Sequence, residues 1–139
     1  MFEVSVEHSF AAGHFLRNYK GKCENLHGHN YKIQVTVRGE KLDHAGMLTD
    51  FVELKRLLRA ISEPLDHVLL NDIEPFIEWN PSAEYIALYF CQKLQEGLAK
   101  TNPIEVARIE VAEVKVWETD IQSATYRPPS KLLSAVQPG

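Results

Sequence analysis

Cysteine is scarce in this sequence, and its scarcity excludes one class of small protein. The 139 residues include only 2 cysteines, Cys23 and Cys91, too few for the disulfide framework of a small secreted domain. Cys23 stands in a polar segment, whereas Cys91 stands among apolar residues at helical spacing and is expected in the core. We therefore expect reduced thiols and a cytoplasmic protein.

Long apolar runs and an excess of basic residues are missing as well. No run approaches the ~18 apolar residues of a membrane-spanning helix. The first four residues, Met-Phe-Glu-Val, lack the basic start and apolar core of a signal peptide. The formal net charge is −4, whereas a general nucleic-acid binder normally has a basic face. We therefore expect neither a membrane nor a nucleic acid as a partner.

The sequence does contain enough apolar material for one core. Hydrophobic residues make up 45% of the chain and charged residues 24%, which is typical of a globular protein. A chain of this length fits one domain rather than two. We predict a single domain over residues 1–127, followed by a loosely held C-terminal tail over residues 128–139.

Apolar residues that alternate with polar ones predict four β-strands. The predicted strands run from Phe2 to about His14, from about His29 to Arg38, from Ile104 to Thr119 and from Ser123 to Tyr126. In the third strand the alternation slips by one residue near Ala112, which indicates an irregularity such as a β-bulge.

Two stretches with helical periodicity separate the second and third strands. The first begins after Asp50 as N-cap, with Glu53 in the capping-box position, and is stopped by Pro64. The second opens at Asn80-Pro81-Ser82 and is terminated by Asn102-Pro103. The order β-β-α-α-β-β predicts an α+β domain, with an antiparallel sheet and both helices on one face. The open edges of such a sheet favour assembly into an oligomer.

A pair of histidines begins the second strand. His27 and His29 project from the same face of a strand, so both imidazoles can converge on one point. Neutral imidazole is a common transition-metal ligand, and a catalytic zinc typically takes three protein ligands and one open position. His14 is the leading candidate for the third ligand, and Cys23 is close enough in sequence to reach the same cavity. Taken alone, the His-x-His pair fits two exposed polar residues equally well.

A set of short motifs in a fixed order resembles one known enzyme family. The motifs are Phe10 to His14, Cys23 to Tyr31, Gly46 to Phe51, Leu65-Asp66-His67, Pro81 to Glu84 and Trp117-Glu118-Thr119. Together they are similar to the 6-pyruvoyltetrahydropterin synthase and 6-carboxytetrahydropterin synthase family, over the chain up to about Arg127. The resemblance implies a tunnelling fold (T-fold), in which trimeric barrels stack into a homo-hexamer with active sites at subunit interfaces.

The resemblance implies a zinc site. His14, His27 and His29 would be the ligands of Zn²⁺. The substrate would be a dihydropterin with a trihydroxypropyl triphosphate side chain, whose adjacent hydroxyl oxygens zinc can bind and acidify.

The resemblance also implies catalytic and binding roles. Cys23 would be the general base, since a thiol near a divalent metal has a lowered pKa. Asp66 and His67 would be its partners in proton transfer, acting across a subunit boundary. Glu118 would anchor the pterin ring, because a carboxylate can accept two hydrogen bonds from the amino-pyrimidine edge.

The sequence is compatible with three different side-chain products. The first choice is the 6-carboxytetrahydropterin synthase of queuosine biosynthesis, which converts 7,8-dihydroneopterin triphosphate with loss of acetaldehyde and triphosphate. Gly13 stands where the family usually has alanine, a change that should not harm ligation. Glu24 directly follows Cys23, and relatives with a glutamate in this loop resemble folate-pathway enzymes that cleave the side chain to a hydroxymethyl group. Glu24 is therefore an alternative base, and a pyruvoyl-forming enzyme is a further alternative.

Other polar residues have simpler explanations. Arg17, Lys20 and Lys22 either meet the triphosphate or form a solvated loop. His8 and His44 are expected as surface or turn residues. A protein of a different class, a zinc-binding assembly subunit without turnover, would explain the histidines but would leave the other polar motif residues without a purpose.

Overall fold

The computed structural model describes residues 1–101 and 108–134, and within them one antiparallel sheet carries two long helices. The strands are β1 (Phe2–His14), β2 (His27–Gly39), β3 (Ile109–Thr119) and β4 (Gln122–Tyr126), and they lie in this order across the sheet. The helices are α1 (Phe51–Ser62), α2 (Ala83–Thr101) and the short α3 (Lys131–Ser134). The predicted α+β class, element order and antiparallel sheet are confirmed.

The hydrophobic core lies between the sheet and the two long helices. Every second residue of β2 from Tyr31 to Val37 is fully buried and belongs to the same cluster as the buried faces of α1 and α2. Phe10 of β1 stacks on Tyr31 with ring centroids 5.3 Å apart, and on Phe90 of α2 with centroids 6.0 Å apart. His14 continues the buried alternation of β1, so its side chain faces the helices as well.

The irregularity predicted in the third strand is a β-bulge. Thr36 of β2 lies opposite Glu113, whereas Val37 lies opposite Val111, so Ala112 is the extra residue. A bulge of this kind shifts the alternation by one position. It keeps the apolar residues of both halves of β3 on the helix-covered face.

Most helix and strand boundaries agree with the sequence, with small differences. Asp50 caps α1, because its carboxylate accepts a hydrogen bond from the backbone amide two residues further on. Glu53 does not complete the predicted capping box, since its carboxylate pairs with Arg56 instead. β2 begins at His27, two residues earlier than predicted.

Two predicted boundaries fall outside the described part of the chain. These are the end of the second helix at Asn102-Pro103 and the start of the third strand at Ile104. Within the described ranges, no helix is both long and apolar enough to cross a membrane.

The start of the predicted tail is attached to β3, whereas its last residues, 135–139, lie outside the described part of the chain. The carboxylate of Glu110 accepts hydrogen bonds from the Ser130 hydroxyl, at 2.5 Å, and from the backbone amides of Lys131 and Leu132. The same carboxylate pairs with Arg38 at 3.1 Å. A carboxylate with several donors is a stable anchor. No local pattern predicts this contact, because the partners are 20 or more residues away along the chain.

Candidate functional site

Three histidines converge where β1 ends and β2 begins. The strand register sets His14 opposite His27 and Ala12 opposite His29. One ring nitrogen from each histidine lies within 4.8 Å of the others, a grouping able to hold a metal ion. His14 is almost fully buried, with 2% of its surface exposed. The register of the first two strands therefore creates the cluster.

Backbone carbonyl groups fix the orientation of two of these rings. The Nδ1 atom of His14 lies 2.7 Å from the carbonyl oxygen of Pro81, and Nδ1 of His27 lies 2.9 Å from that of Asn25. A carbonyl oxygen only accepts hydrogen bonds, so both rings carry their proton on Nδ1. Their Nε2 atoms are then bare lone pairs, and these face each other at 3.1 Å. Metal-ligating histidines typically donate a hydrogen bond in this way from the ring nitrogen that does not bind the metal.

The third ring has a free ligand atom. Nε2 of His29 is buried and has no hydrogen-bond partner among the described residues. Burial lowers the pKa of His29, with smaller lowering effects from His14 and His27, so the neutral form that metals require is favoured. Three lone pairs directed at one point repel each other unless a cation lies between them. In a tetrahedral zinc site with Zn–N bonds of 2.0–2.1 Å, ligand nitrogens are roughly 3.3 Å apart. The Nε2 atoms of His14 and His27, at 3.1 Å, match this spacing, and all three donors lie within 4.8 Å of one another.

A network that sequence reasoning missed supports the loop after β1. Asn71 donates to and accepts from the backbone of Phe15, at 2.9 and 3.0 Å. Asn80 does the same for the backbone of Arg17, at 2.9 and 2.7 Å. Each asparagine side chain thus forms the pair of backbone hydrogen bonds that a neighbouring strand would otherwise provide for the residues just beyond His14. The only sequence signal for this network was the Asn80-Pro81 pair before the second helix. The backbone carbonyl of Pro81 is the one that orients His14.

The Arg17 guanidinium has a structural position. It donates to the carbonyl oxygens of Phe76 at 2.9 Å and of Asn71 and Trp79 at 3.3 Å. These contacts direct it towards the segment before α2. This favours a supporting role over the triphosphate contact considered for this residue.

Glu24 and Cys23 are adjacent in the loop but differ in their contacts. The backbone amide of Glu24 donates to the carbonyl of Leu16 at 2.9 Å, and Oε1 of Glu24 accepts from the amide of Leu16 at 3.0 Å. The Glu24 carboxylate is near enough to His29 to raise its pKa slightly against the larger effect of burial. Cys23 is exposed, and its thiol is not in a disulfide. Within one chain, hydrogen bonds to Leu16 therefore hold Glu24 in place, whereas the Cys23 thiol is exposed.

The Asp66-His67 pair lies beside the free edge of β1. The amide of His67 donates to the carbonyl of Ala11 at 2.6 Å, and the amide of Gly13 donates to that of Val68 at 3.0 Å. Oδ1 of Asp66 accepts from the Ala11 amide at 3.0 Å and from Nδ1 of His67 at 2.9 Å. The Ala11 hydrogen bond, followed by His67, holds the pKa of Asp66 below its ordinary value.

The backbone of His67 shows that this segment is constrained. Its φ is +58°, in the left-handed region that non-glycine residues seldom adopt. Its ring is exposed, with 80% of the side chain accessible. His67 lines an open groove of about 640 Å³ together with His27, Gly28 and His29, whereas Cys23 is not part of that lining. One chain thus brings His67 to the groove that His27 and His29 line, but leaves the Cys23 thiol outside that lining.

Glu118 approaches the cluster from the end of β3. It is half-buried, and its carboxylate forms no hydrogen bond or ion pair within the described residues. Its charge raises the pKa of His29 against the larger effect of burial. It also raises the pKa of Tyr31, after burial, which is the main cause. Tyr31 was not singled out from the sequence, although it continues the strand face of His27 and His29.

Comparison with known proteins identifies the family. The family model described as 6-pyruvoyl tetrahydropterin synthase matches residues 3–129. The chain belongs to this family. Its members are lyase-type enzymes that act on pterin substrates.

Similar proteins carry two different enzyme names. The 6-carboxy-5,6,7,8-tetrahydropterin synthase of Haemophilus influenzae is 32% identical, with 91% of this chain and 99% of that protein covered. The 6-pyruvoyl tetrahydrobiopterin synthase of Homo sapiens is 37% identical, with 90% of each covered. The similar proteins therefore bear the names of enzymes with different products.

Solved structures agree with the fold. The 6-pyruvoyl tetrahydropterin synthase of Caenorhabditis elegans has a TM-score of 0.74 and 32% identity, with 93% of this chain and 98% of that chain covered. The Plasmodium vivax enzyme has a TM-score of 0.74 and 29% identity, with 91% and 97% covered. For the latter enzyme, solved variants replace a glutamate described as a catalytic residue by alanine or cysteine. The T-fold expected from the sequence is confirmed.

Proposed function

We propose that this tetrahydropterin synthase is a zinc-dependent 6-carboxy-5,6,7,8-tetrahydropterin synthase. Its substrate is 7,8-dihydroneopterin triphosphate, and it releases acetaldehyde and triphosphate in the cytoplasmic synthesis of queuosine. The observation that carries the proposal is the triad of His14, His27 and His29, with two rings held in the metal-binding tautomer by backbone carbonyls. The relatives from Haemophilus influenzae and Bacillus subtilis that bear this enzyme name support the choice of product.

The three imidazoles would hold the metal and leave one position open to the substrate. A zinc ion held there would supply Lewis acidity, which would polarise the side-chain oxygens of the substrate and ease loss of a proton from the neighbouring carbon. His14 and His27 keep their Nδ1 protons on the carbonyls of Pro81 and Asn25, so they stay neutral ligands during the reaction.

Proton transfer is assigned to Cys23, Asp66 and His67. The Cys23 thiolate takes a proton from the substrate side chain, and His67 accepts or returns protons while Asp66 fixes its Nδ1–H. Within a single chain Cys23 does not line the groove that His67 lines. The high exposure of His67 is consistent with a partner subunit supplying the thiol, and therefore with a homo-hexamer built as a dimer of trimers.

Ring recognition is assigned to Glu118. Its carboxylate is half-buried and lacks a hydrogen bond within the described residues, so both oxygens are available to the amino-pyrimidine edge of a pterin. This contact would hold the ring while the side chain reaches the three histidines.

A second candidate reaction is side-chain cleavage to 6-hydroxymethyl-dihydropterin, with Glu24 as the base. The observation in its favour is the fixed position of the Glu24 carboxylate near His29. The catalytic glutamate described for the Plasmodium vivax enzyme supports it as well. A pyruvoyl product is the third possibility, in line with the name of the human relative. A zinc-binding assembly subunit without turnover remains the alternative from another class.

Product identification separates these reactions. The purified zinc-loaded protein is incubated with 7,8-dihydroneopterin triphosphate, and the pterins formed are identified by mass spectrometry. We expect 6-carboxytetrahydropterin with acetaldehyde. A pyruvoyl or hydroxymethyl pterin would replace the first choice by one of the others, and the absence of any turnover would favour the non-catalytic subunit.

A further inference from the structure

The hydroxyl group of Tyr31 is a buried donor without an acceptor. Tyr31 is 0% exposed, and its hydroxyl oxygen has no hydrogen-bond partner among the described residues. Buried polar groups are nearly always hydrogen-bonded, because an unpaired one loses its contact with water without compensation. The phenol ring itself is well packed, on Phe10 and against the edges of His14 and His29. The ring therefore has a core role that does not explain the hydroxyl.

The strand register points to a suitable acceptor. Ile33 of β2 lies opposite Val116 of β3, and both are fully buried on the helix-covered face. The pairing of β2 with β3 ends at Lys32 opposite Trp117, and continuing it by one residue would set Tyr31 opposite Glu118. Directly opposed residues have Cβ atoms about 5 Å apart, within reach of these two long side chains. The influence of the Glu118 charge on Tyr31 agrees with this proximity.

Glu24 is the competing acceptor, and its geometry makes it the weaker one. Its charge also reaches Tyr31, although with less effect than that of Glu118. However, Oε1 of Glu24 already accepts a hydrogen bond from the amide of Leu16 at 3.0 Å. The Glu118 carboxylate has no such contact within the described ranges. A buried donor without an acceptor and a carboxylate without a donor thus belong to the same end of the β2–β3 pair.

We propose that the Tyr31 hydroxyl donates a hydrogen bond to Glu118 when a pterin fills the site, and so positions this carboxylate for the ring. The inference rests on the proposed role of Glu118 as the ring anchor. A pterin displaces water from the half-buried carboxylate, which then needs a donor from the protein. Each carboxylate oxygen has two lone pairs, so one oxygen can accept from Tyr31 and from the ligand together. Tyr31 is therefore a positioning residue that acts through Glu118.

Tyr31→Phe removes the hydroxyl and keeps the ring contacts. We expect the Kd for neopterin and the KM for 7,8-dihydroneopterin triphosphate to rise about tenfold, the effect of one hydrogen bond to a charged group. The value of kcat and the zinc content should stay at the wild-type level. Tyr89→Phe is the matched control, because Tyr89 is a half-buried tyrosine that packs on Phe76 and Phe90 away from the histidines. A purely structural hydroxyl would instead lower the melting temperature and leave Kd unchanged, which would overturn the proposal.

A double-mutant cycle tests whether the effect passes through Glu118. In a Glu118→Ala background, Tyr31→Phe should cause no further loss of neopterin affinity. In a Glu24→Gln background it should still cause the full loss of about tenfold. Equal losses in both backgrounds, or a loss that disappears only without Glu24, would contradict the proposal.

A structure of the wild-type protein with neopterin gives a measurement that requires no variant. The Tyr31 oxygen should lie within hydrogen-bond distance of a Glu118 oxygen, about 2.5–2.7 Å for a charge-assisted O–H···O pair. A separation beyond hydrogen-bond distance would overturn the inference, even if the enzyme is active. If the wild-type protein neither binds nor converts the pterin, the proposed function itself fails and this inference fails with it. The two failures are therefore distinguishable.

Discussion

The Nε2 atoms of His14 and His27 face each other at 3.1 Å, while the Nδ1 atom of each ring donates to a backbone carbonyl. A hydrogen bond between the two Nε2 atoms would require one ring to carry two protons and a positive charge. A metal ion would satisfy both lone pairs, and also the buried Nε2 of His29. The three rings are thus oriented so that they could hold one metal ion.

Removal of one histidine should abolish metal binding. His27→Ala leaves two ligands, and we expect its zinc content to fall from one ion per subunit to nearly none, with loss of activity. Metal content is measured by plasma mass spectrometry after dialysis. His44→Ala is the control, since His44 is an exposed turn residue and should keep full zinc. Full zinc content in His27→Ala would refute the assignment of the ligands.

Activity should be shared between subunits. Cys23→Ala and His67→Ala are each expected to be inactive, because they remove the proposed base and its proton-transfer partner. If the active site combines Cys23 of one subunit with His67 of another, mixed oligomers contain some intact sites. Mixing the two variants under exchange conditions should then restore part of the activity, measured by product formation. A fully active monomer in size-exclusion chromatography would contradict this arrangement.

Glu24 should support a slow side reaction. Cys23→Ala is expected to lose the main activity but to release 6-hydroxymethyl-dihydropterin slowly, because the Glu24 carboxylate is held close to His29 and can deprotonate a side-chain hydroxyl. The double variant Cys23→Ala with Glu24→Ala should lose this remainder. Chromatography with mass detection follows the product. If Cys23→Ala forms no hydroxymethyl pterin at all, Glu24 serves the loop through Leu16 and not the chemistry.

The anchor of the C-terminal segment should weaken in acid. Glu110 is half-buried, and this partial burial raises its pKa, but the hydrogen bonds from Ser130, Lys131, Leu132 and Arg38 outweigh the burial and hold the pKa below its ordinary value of 4.5. A carboxyl group whose folded-state pKa is depressed stabilises the fold above that ordinary value. Its contribution is lost as the pH falls through the lower, folded-state pKa.

Glu110→Gln should therefore destabilise the protein at pH 7 but make little difference well below pH 4. We expect about 1–3 kcal/mol at pH 7, the range for hydrogen bonds to a charged group. Urea unfolding at both pH values measures the difference. Glu96→Gln is the control, because Glu96 is exposed in a surface pair with Lys93 and should change stability by less than about 1 kcal/mol. An equal loss at both pH values for Glu110→Gln would contradict the role of its charge.

The sequence was sufficient for the strands, the helices and the candidate ligands, because these depend on local order. Alternation with a period of two predicts a strand wherever it occurs, and the slip at Ala112 marked the bulge before its partner strand was known. His27 and His29 were recognisable as a pair because two residues on one strand share a face. Asp50 was recognisable as an N-cap because its partner is two residues away.

Contacts between distant parts of the chain were decided only by the tertiary structure. The carbonyl of Pro81 that orients His14 is 67 residues away, and the acceptors of the Arg17 guanidinium are 54 to 62 residues away. No periodicity encodes such partners, since they depend on how the loops pack against the sheet. The proposed approach of Tyr31 to Glu118 likewise depends on the register between β2 and β3, in which Lys32 lies opposite Trp117. Local sequence thus determined which groups are present, and long-range packing determined which of them meet.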